Sequence, residues 1–277
     1  MRKLIVIQLV LLLLSGCGKQ GGSVVEEELV VEGWIDAGGY PVVIVSTTVV
    51  PDGRTHDMED LRRHIARWAR VTVDDGESQV VLVGHIDENQ FPSYTYTTAW
   101  MKGVPGRTYS LTVEYAGYKA FARTTIPFEV PDVSVSAVPQ DASGQTYDIE
   151  ARFAAARPGV FYRFFMKAED EDTSFIPVFP GVFDGSEIFE GKKVTLNKGL
   201  SFSRRSYQPV FHSGEQLRLK VCTMDEASWQ YWKDYEEISA LASSPIFPVR
   251  YNLTSNVSGA LGYWAGYNAS YQQIELP

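Results

Sequence analysis

Basic side chains are in short supply in this sequence. Lysine and arginine number 25 against 34 aspartates and glutamates, which gives a formal net charge of −9 at pH 7. A chain with this charge is repelled by the phosphate backbone of nucleic acids and by anionic lipid headgroups. A nucleic-acid partner is therefore not expected.

Signatures of the common catalytic and cofactor-binding classes are also missing. The chain has no G-x-S-x-G nucleophile elbow, no phosphate-binding glycine loop and no H-E-x-x-H zinc motif. Its four histidines lack metal-ligand spacing, and the acidic run 169–172 lacks the spacing of an EF-hand. We therefore expect a protein that is not an enzyme and that holds no cofactor or metal.

Long apolar runs are absent apart from one, Leu4–Leu14, which falls short of the roughly 20 residues that a membrane-spanning helix needs. The basic segment Met1–Lys3 precedes this run, and Leu14–Cys17 follows it in the pattern of a lipobox. We predict that residues 1–16 are a cleaved signal peptide and that Cys17 receives diacylglycerol. An ordinary secretory signal is the alternative interpretation.

A lipid at Cys17 would attach an otherwise soluble protein to a membrane. Each buried CH₂ of an acyl chain contributes roughly 0.8 kcal/mol, so two or three chains hold a protein firmly. Residues 17–23 are rich in glycine and predict a flexible tether. The one other cysteine, Cys222, lies in an alternating apolar run, which predicts a buried and unreactive thiol.

The rest of the sequence is dominated by strand signals. Aromatic residues make up 13% of the chain, and short alternating or β-branched runs recur between turn residues. We predict a mainly β protein with two immunoglobulin-like β-sandwich domains in tandem, over residues 24–128 and 129–277. Residues 169–205 are predicted to form long loops, with one hairpin among them as the alternative, and the tail is predicted to form separate strands over 261–267 and 269–276.

One helix is predicted in the second domain, over residues 225–241, with Asp225 as its N-terminal cap. Its aromatic residues cover more of the helix surface than one buried face requires. We therefore treat the rings of this helix, with one from the strand after it, as candidate contacts to a ligand or partner. The candidates are Trp229, Tyr231, Trp232, Tyr235 and Trp264. The alternative is that these rings pack the helix against the sandwich.

Five segments, together with the lipobox, resemble a known family. They are Val31–Ile35, Val71–Gly76, Pro105–Leu111, Thr124–Pro127 and, the most specific, Asn256–Tyr267 after the aromatic helix. They are similar to the Bacteroidetes lipoproteins known as domain of unknown function 4249. The resemblance implies a lipid-anchored protein of the outer membrane, often encoded near TonB-dependent receptors, and it supplies no catalytic residues.

The sequence is compatible with attachment to either face of the outer membrane. Surface-displayed lipoproteins of that phylum often carry acidic residues directly after the lipidated cysteine, whereas Gly18–Gln20 follow Cys17 here. The hypothesis that results is a non-enzymatic lipoprotein that binds a glycan, a peptide or a partner, with a TonB-dependent receptor as the expected partner. The alternatives are a glycan-active hydrolase, which would need two converging carboxylates, and a structural adhesin.

Overall fold

The computed structural model describes residues 27–49, 62–90, 92–154, 157–188, 191–199, 210–242 and 253–277. The predicted signal peptide, the lipidation site Cys17 and the tether lie outside these residues. The described chain is mainly β with one α-helix near the C-terminus, as predicted. No helix within the described ranges is long and apolar enough to cross a membrane.

The first half of the chain contributes eight strands. They are β1 (Leu29–Asp36), β2 (Pro41–Thr47), β3 (Arg70–Asp74), β4 (Gln79–Val81), β5 (Val83–Ile86), β6 (Tyr94–Thr97), β7 (Thr108–Tyr115) and β8 (Tyr118–Thr125).

The second half contributes nine strands, a short 3₁₀ turn at Gly185–Glu187 and the helix α1 (Glu226–Ala242). The strands are β9 (Val133–Pro139), β10 (Thr146–Phe153), β11 (Phe161–Ala168), β12 (Ile176–Asp184), β13 (Lys193–Leu196), β14 (Phe211–His212), β15 (Gln216–Met224), β16 (Val257–Ser258) and β17 (Leu261–Glu275).

The strands form three sheets. The largest has eight strands in the order β12-β11-β15-β17-β1-β2-β6-β5. A five-stranded sheet has the order β16-β8-β7-β3-β4, and a four-stranded sheet is built from β13, β10 and β14, with β9 paired to β10. This layered arrangement is sandwich-like, while an immunoglobulin-like topology stays a prediction.

Strand β17 joins the two halves of the chain. It pairs in parallel with β1 through Leu261–Tyr267 and antiparallel with β15 through Asn268–Glu275. The two strands predicted for the tail are thus one continuous strand of 15 residues. Gly262 permits its start, because φ is +114° there and a Cβ would lie 2.0 Å from the Val31 carbonyl oxygen.

The side chains of β17 and of the residue after it point alternately to the two faces of the sheet and contribute to three hydrophobic cores. Trp264 belongs to the first core, which is otherwise built almost entirely from residues 29–126. Leu276, just past the strand, belongs to the second core, built from residues 133–276. Tyr263 and Tyr267 project from the opposite face into a third core beneath α1. The division into two domains between residues 128 and 129 stays a prediction. In the described part of the chain, strands from the two sides of this boundary pair with each other.

Strand β12 corrects the prediction of long loops over residues 169–205. It pairs antiparallel with β11 at both of its ends, with an irregularity between them, and β13 follows it at Lys193–Leu196. The prediction was wrong because Pro177 and Pro180 interrupt the strand pattern. β12 lies at the edge of the eight-stranded sheet, where proline removes no ladder hydrogen bond that a neighbour needs.

Helix α1 begins where its cap residue predicts. Asp225 Oδ1 accepts a hydrogen bond from the backbone N–H of Ser228 at 2.9 Å. The other oxygen accepts from Thr124 Oγ1 at 2.6 Å and from the backbone N–H of Thr125 at 2.9 Å. One carboxylate therefore both starts the helix and ties it to the end of β8.

Candidate functional site

A cavity of about 440 Å³ lies beneath α1, on the face of the eight-stranded sheet that holds the third core. This volume falls within the range of about 300–1,000 Å³ that small-molecule sites occupy. Its walls come from β1, β11, β15, β17, the helix and the segment 173–177. Nine aromatic side chains line it: Trp34, Phe165, Phe175, Tyr231, Trp232, Tyr235, Tyr263, Tyr267 and Tyr271.

Strand β1 supplies the polar wall of the cavity. Successive side chains of a strand point to opposite faces, so Glu32, Trp34 and Asp36 share one face while Val31 and Ile35 fill the first core on the other. The parallel register places Glu32 opposite Tyr263 and Asp36 opposite Tyr267. Two carboxylates therefore face a wall of tyrosine rings.

The helix closes this wall through ring contacts. The centroids of Tyr231 and Tyr263 lie 4.8 Å apart, and those of Trp232 and Tyr263 lie 4.9 Å apart. The indole N–H of Trp232 donates a hydrogen bond of 2.7 Å to the Tyr267 hydroxyl. Tyr235, 40% exposed, stands at the solvent side of this cluster, with its ring 5.6 Å from that of Trp232.

Among the described residues that line the cavity, Lys220 is the single cation, and it is paired. Its Nζ donates to both carboxylate oxygens of Asp36, at 2.7 and 2.6 Å, and lies 5.2 Å from the centre of the Tyr267 ring. Burial acts to lower the pKa of Lys220, but the neighbouring Cys222 and Asp36 outweigh it and raise that pKa to about 12.

At neutral pH, the charged partner of Lys220 is Asp36 and not Cys222. Burial raises the pKa of the Cys222 thiol to about 12, so the thiol is neutral, and its side chain is fully buried as predicted. Lys220 and Asp36 therefore form a charge pair across the sheet, and neither charge is left over for a ligand.

A second buried ion pair fixes the helix over the cavity. The fully buried Arg163 donates from Nη1 to Glu236 Oε1 at 2.5 Å, and its guanidinium lies 4.5 Å from the centre of the Trp232 ring. Glu236 Oε1 also accepts from the backbone N–H of Gly181 at 2.8 Å. The pKa of Glu236 is raised because burial outweighs the attraction of Arg163.

Glu32 differs from both pairs. Within the described part of the chain, its carboxylate has no hydrogen bond or ion pair, and burial raises its pKa above the usual 4.5. The pKa values of Tyr231 and Tyr263 are also raised, chiefly by burial and further by the charge of Glu32. The carboxylate lines the cavity with both rings, opposite Tyr263 in the ladder, and has no partner among the described residues.

The five candidate contact residues have separate positions. Tyr231, Trp232 and Tyr235 line the cavity, the first two largely buried. Trp229 does not line it and stacks on Phe161 at 4.7 Å. Trp264 is fully buried on the opposite face of β17, where its indole N–H donates to the Tyr109 carbonyl at 3.0 Å.

Three charged lining residues were not among the sequence candidates: Glu32, Asp36 and Lys220. The alternation of β1 was a signal for the first two, because it places a carboxylate at every second position along one face of an otherwise apolar strand. Lys220 gave no comparable signal. Its position follows from the pairing of β15 with β17, which residue patterns alone do not specify.

The spacing of the two lining carboxylates bears on catalysis. Glu32 and Asp36 are four residues apart on one strand, which separates their Cα atoms by roughly 13 Å. Glycosidases hold their two carboxyl groups about 5–9.5 Å apart around one bond. Asp36 is moreover held by Lys220.

Comparison with known proteins gives one finding. A family model described as "Domain of unknown function (DUF4249)" matches residues 22–273, which is nearly the whole chain. No curated protein matches the chain.

Proposed function

Because this chain belongs to the family described as a domain of unknown function (DUF4249), whose description assigns no activity, we propose its function from the cavity and from the N-terminal sequence. The protein is a lipid-anchored, non-enzymatic lipoprotein of the outer membrane. It binds a small ligand, a glycan or peptide fragment, in the cavity beneath α1, and it serves as an accessory to a TonB-dependent receptor.

The aromatic cavity is the observation that carries the binding function. Tyrosine and tryptophan rings offer flat apolar faces together with polar atoms at their edges, which suits sugars and peptide side chains. The hydroxyl of Tyr267 already accepts from Trp232, and Arg163 fixes the helix from behind. The walls are thus held in place before a ligand arrives, so little ordering cost is left for binding.

A panel of soluble oligosaccharides and oligopeptides tests this binding by thermal unfolding. A ligand at 100 times its dissociation constant stabilises the folded protein by about 2.7 kcal/mol. Tyr235→Ala should abolish the shift with little effect on the unbound protein, because this ring is partly exposed. Trp100→Ala, at an exposed tryptophan outside the cavity, is the control. A stabilising ligand that is unaffected by Tyr235→Ala would argue against the cavity.

Membrane attachment has a separate test at Cys17. We expect Cys17→Ser to move the protein from the membrane fraction to the soluble fraction, because the serine hydroxyl is not a substrate for lipid transfer to the lipobox cysteine. Cell fractionation with immunoblotting measures this. Cys222→Ala should leave the protein in the membrane fraction, and membrane retention of both variants would contradict the anchor.

The partner follows from the resemblance and is tested by extraction. We expect the tagged lipoprotein, solubilised in mild detergent, to co-purify with a large β-barrel receptor of the TonB-dependent class. The soluble Cys17→Ser protein, added to membranes that lack the lipoprotein, asks whether the contact needs the anchor. Purification of the lipoprotein alone under several mild detergents would weigh against this partner.

A further inference from the structure

The charges around the cavity do not balance. Three carboxylates, Glu32, Asp36 and Glu236, face two cations, Lys220 and Arg163. Each cation has its own carboxylate within 2.6 Å. Glu32 is the remaining carboxylate, and no described residue donates a hydrogen bond to it. Among the described residues, the site therefore carries one negative charge without a paired cation, beside an aromatic wall.

Three aromatic rings form one packed cluster beside Glu32. Tyr263 lies opposite Glu32 in the parallel ladder, and Tyr231 and Trp232 both pack on Tyr263 with ring centroids within 5 Å. Glu32, Tyr231 and Tyr263 line the same cavity, so the three side chains share one wall. Aromatic faces carry a negative quadrupole, so they attract cations as the carboxylate does.

We propose that this cavity recognises a ligand through an organic cation, an ammonium or guanidinium group seated between Glu32 and the rings of Tyr231, Trp232 and Tyr263. The inference rests on the proposed function, since it names the chemistry of the ligand in the same cavity. The charged group restores to Glu32 the partner that it lacks, and the rings replace the water that the cation loses on entry.

Other ligand classes fit less well. An anion would meet a net negative site whose lysine is already held by both oxygens of Asp36. A neutral sugar would leave the Glu32 charge without a counterion. A metal ion needs several oxygen ligands, and the described residues contain no group of three acidic, histidine or cysteine side chains that could hold one. An organic cation satisfies both the charge and the rings.

The test uses matched probes on the full mature protein. Choline and its neutral carbon analogue 3,3-dimethylbutanol have the same shape and differ in charge, and isothermal titration calorimetry measures both. We expect choline to bind at least tenfold more tightly than the carbon analogue. Nα-acetyl-lysine amide and Nα-acetyl-arginine amide, whose side chains keep their charge, form a second arm of the experiment. This arm distinguishes a peptide side chain from a lipid or amine headgroup as the source of the cation.

Glu32→Gln is the decisive variant. It keeps the shape of the side chain and removes the charge, so we expect cation affinity to fall at least tenfold while any affinity for 3,3-dimethylbutanol is unchanged. Equal binding of choline and its neutral analogue would overturn the proposal. So would unchanged cation affinity in Glu32→Gln, or failure of all four cationic and neutral probes to bind.

The variant should fold well enough for this comparison. The pKa of Glu32 is raised in the folded state, so its contribution to stability is present below pH 4.5 and is lost as the pH rises through the folded value. Because glutamine does not ionise, Glu32→Gln avoids this loss of stability. We expect its melting temperature at pH 7 to equal or exceed that of the parent protein. If a glycan or peptide binds and Tyr235→Ala abolishes it while Glu32→Gln does not, the proposed function stands and the inference about the cation fails.

Discussion

Truncation of Trp264 to alanine is expected to lower the free energy of unfolding by about 3–5 kcal/mol, the range for a large aromatic side chain removed from a core. The ring is fully buried in the first core and packs directly over Gly33, where a Cβ would lie 2.9 Å from its Cε3 atom. Its loss leaves a void and removes the donor to the Tyr109 carbonyl. Urea denaturation followed by circular dichroism measures the change.

Two exposed tryptophans provide matched controls for this substitution. Trp68 is 91% exposed and Trp100 is 88% exposed, so their truncation should change stability by no more than about 0.5 kcal/mol. A loss at Trp264 as small as at these positions would show that the indole is not a core side chain. It would then return to the set of ligand contacts that the sequence indicates.

Replacement of Arg163 by methionine is expected to cost about 3–5 kcal/mol of unfolding free energy, because it leaves the carboxylate of Glu236 buried without its charged partner. The cation over the Trp232 ring is lost as well. The double variant Arg163→Met with Glu236→Gln removes both charges and should recover much of this loss. Chemical denaturation of both variants gives the comparison.

The pH dependence of this variant has a definite sign. Without Arg163, the pKa of Glu236 in the folded state should rise further above that of the unfolded chain. Stability contributed by such a carboxyl is present below the unfolded pKa of 4.5 and is lost as the pH rises through the folded value. The deficit of Arg163→Met relative to the parent protein should therefore be larger at pH 8 than at pH 5.

The control for this pair lies on the surface of the same sheet. Arg218 is about half exposed and pairs with Glu169 at 2.9 Å, so Arg218→Met should cost less than about 1 kcal/mol. If Arg163→Met and Arg218→Met behaved alike, the Arg163–Glu236 contact would be an ordinary solvated pair. The helix would then need another explanation for its fixed position over the cavity.

Local elements were accessible to prediction where the sequence pattern is strong. The alternation of β1 and the β-branched run of β2 predict these strands to within a few residues, and Asp225 with the apolar face after it predicts α1. Signals of this kind depend only on residues that are close together in the sequence. β12 was missed because its prolines conceal a strand that only an edge position tolerates.

Pairing between distant strands was not accessible. β1 and β17 lie at opposite ends of the chain, and no local pattern specifies that they pair in parallel. The same limit applies to the cavity. The aromatic helix directs attention to Tyr231, Trp232 and Tyr235, which line the cavity. It does not reveal that Glu32 lines the same cavity, because that placement depends on the β1–β17 register.

The position of β17 also sets the order in which this protein can fold. Residues 257–267 follow every other strand of the first core along the chain, and they supply Val257 and Trp264 to that core and a parallel neighbour to β1. A chain that is synthesised from its N-terminus therefore has an incomplete first core until its last strand emerges. Contacts of such long sequence separation form slowly. The N-terminal half would thus remain loosely folded until almost the entire chain has been synthesised.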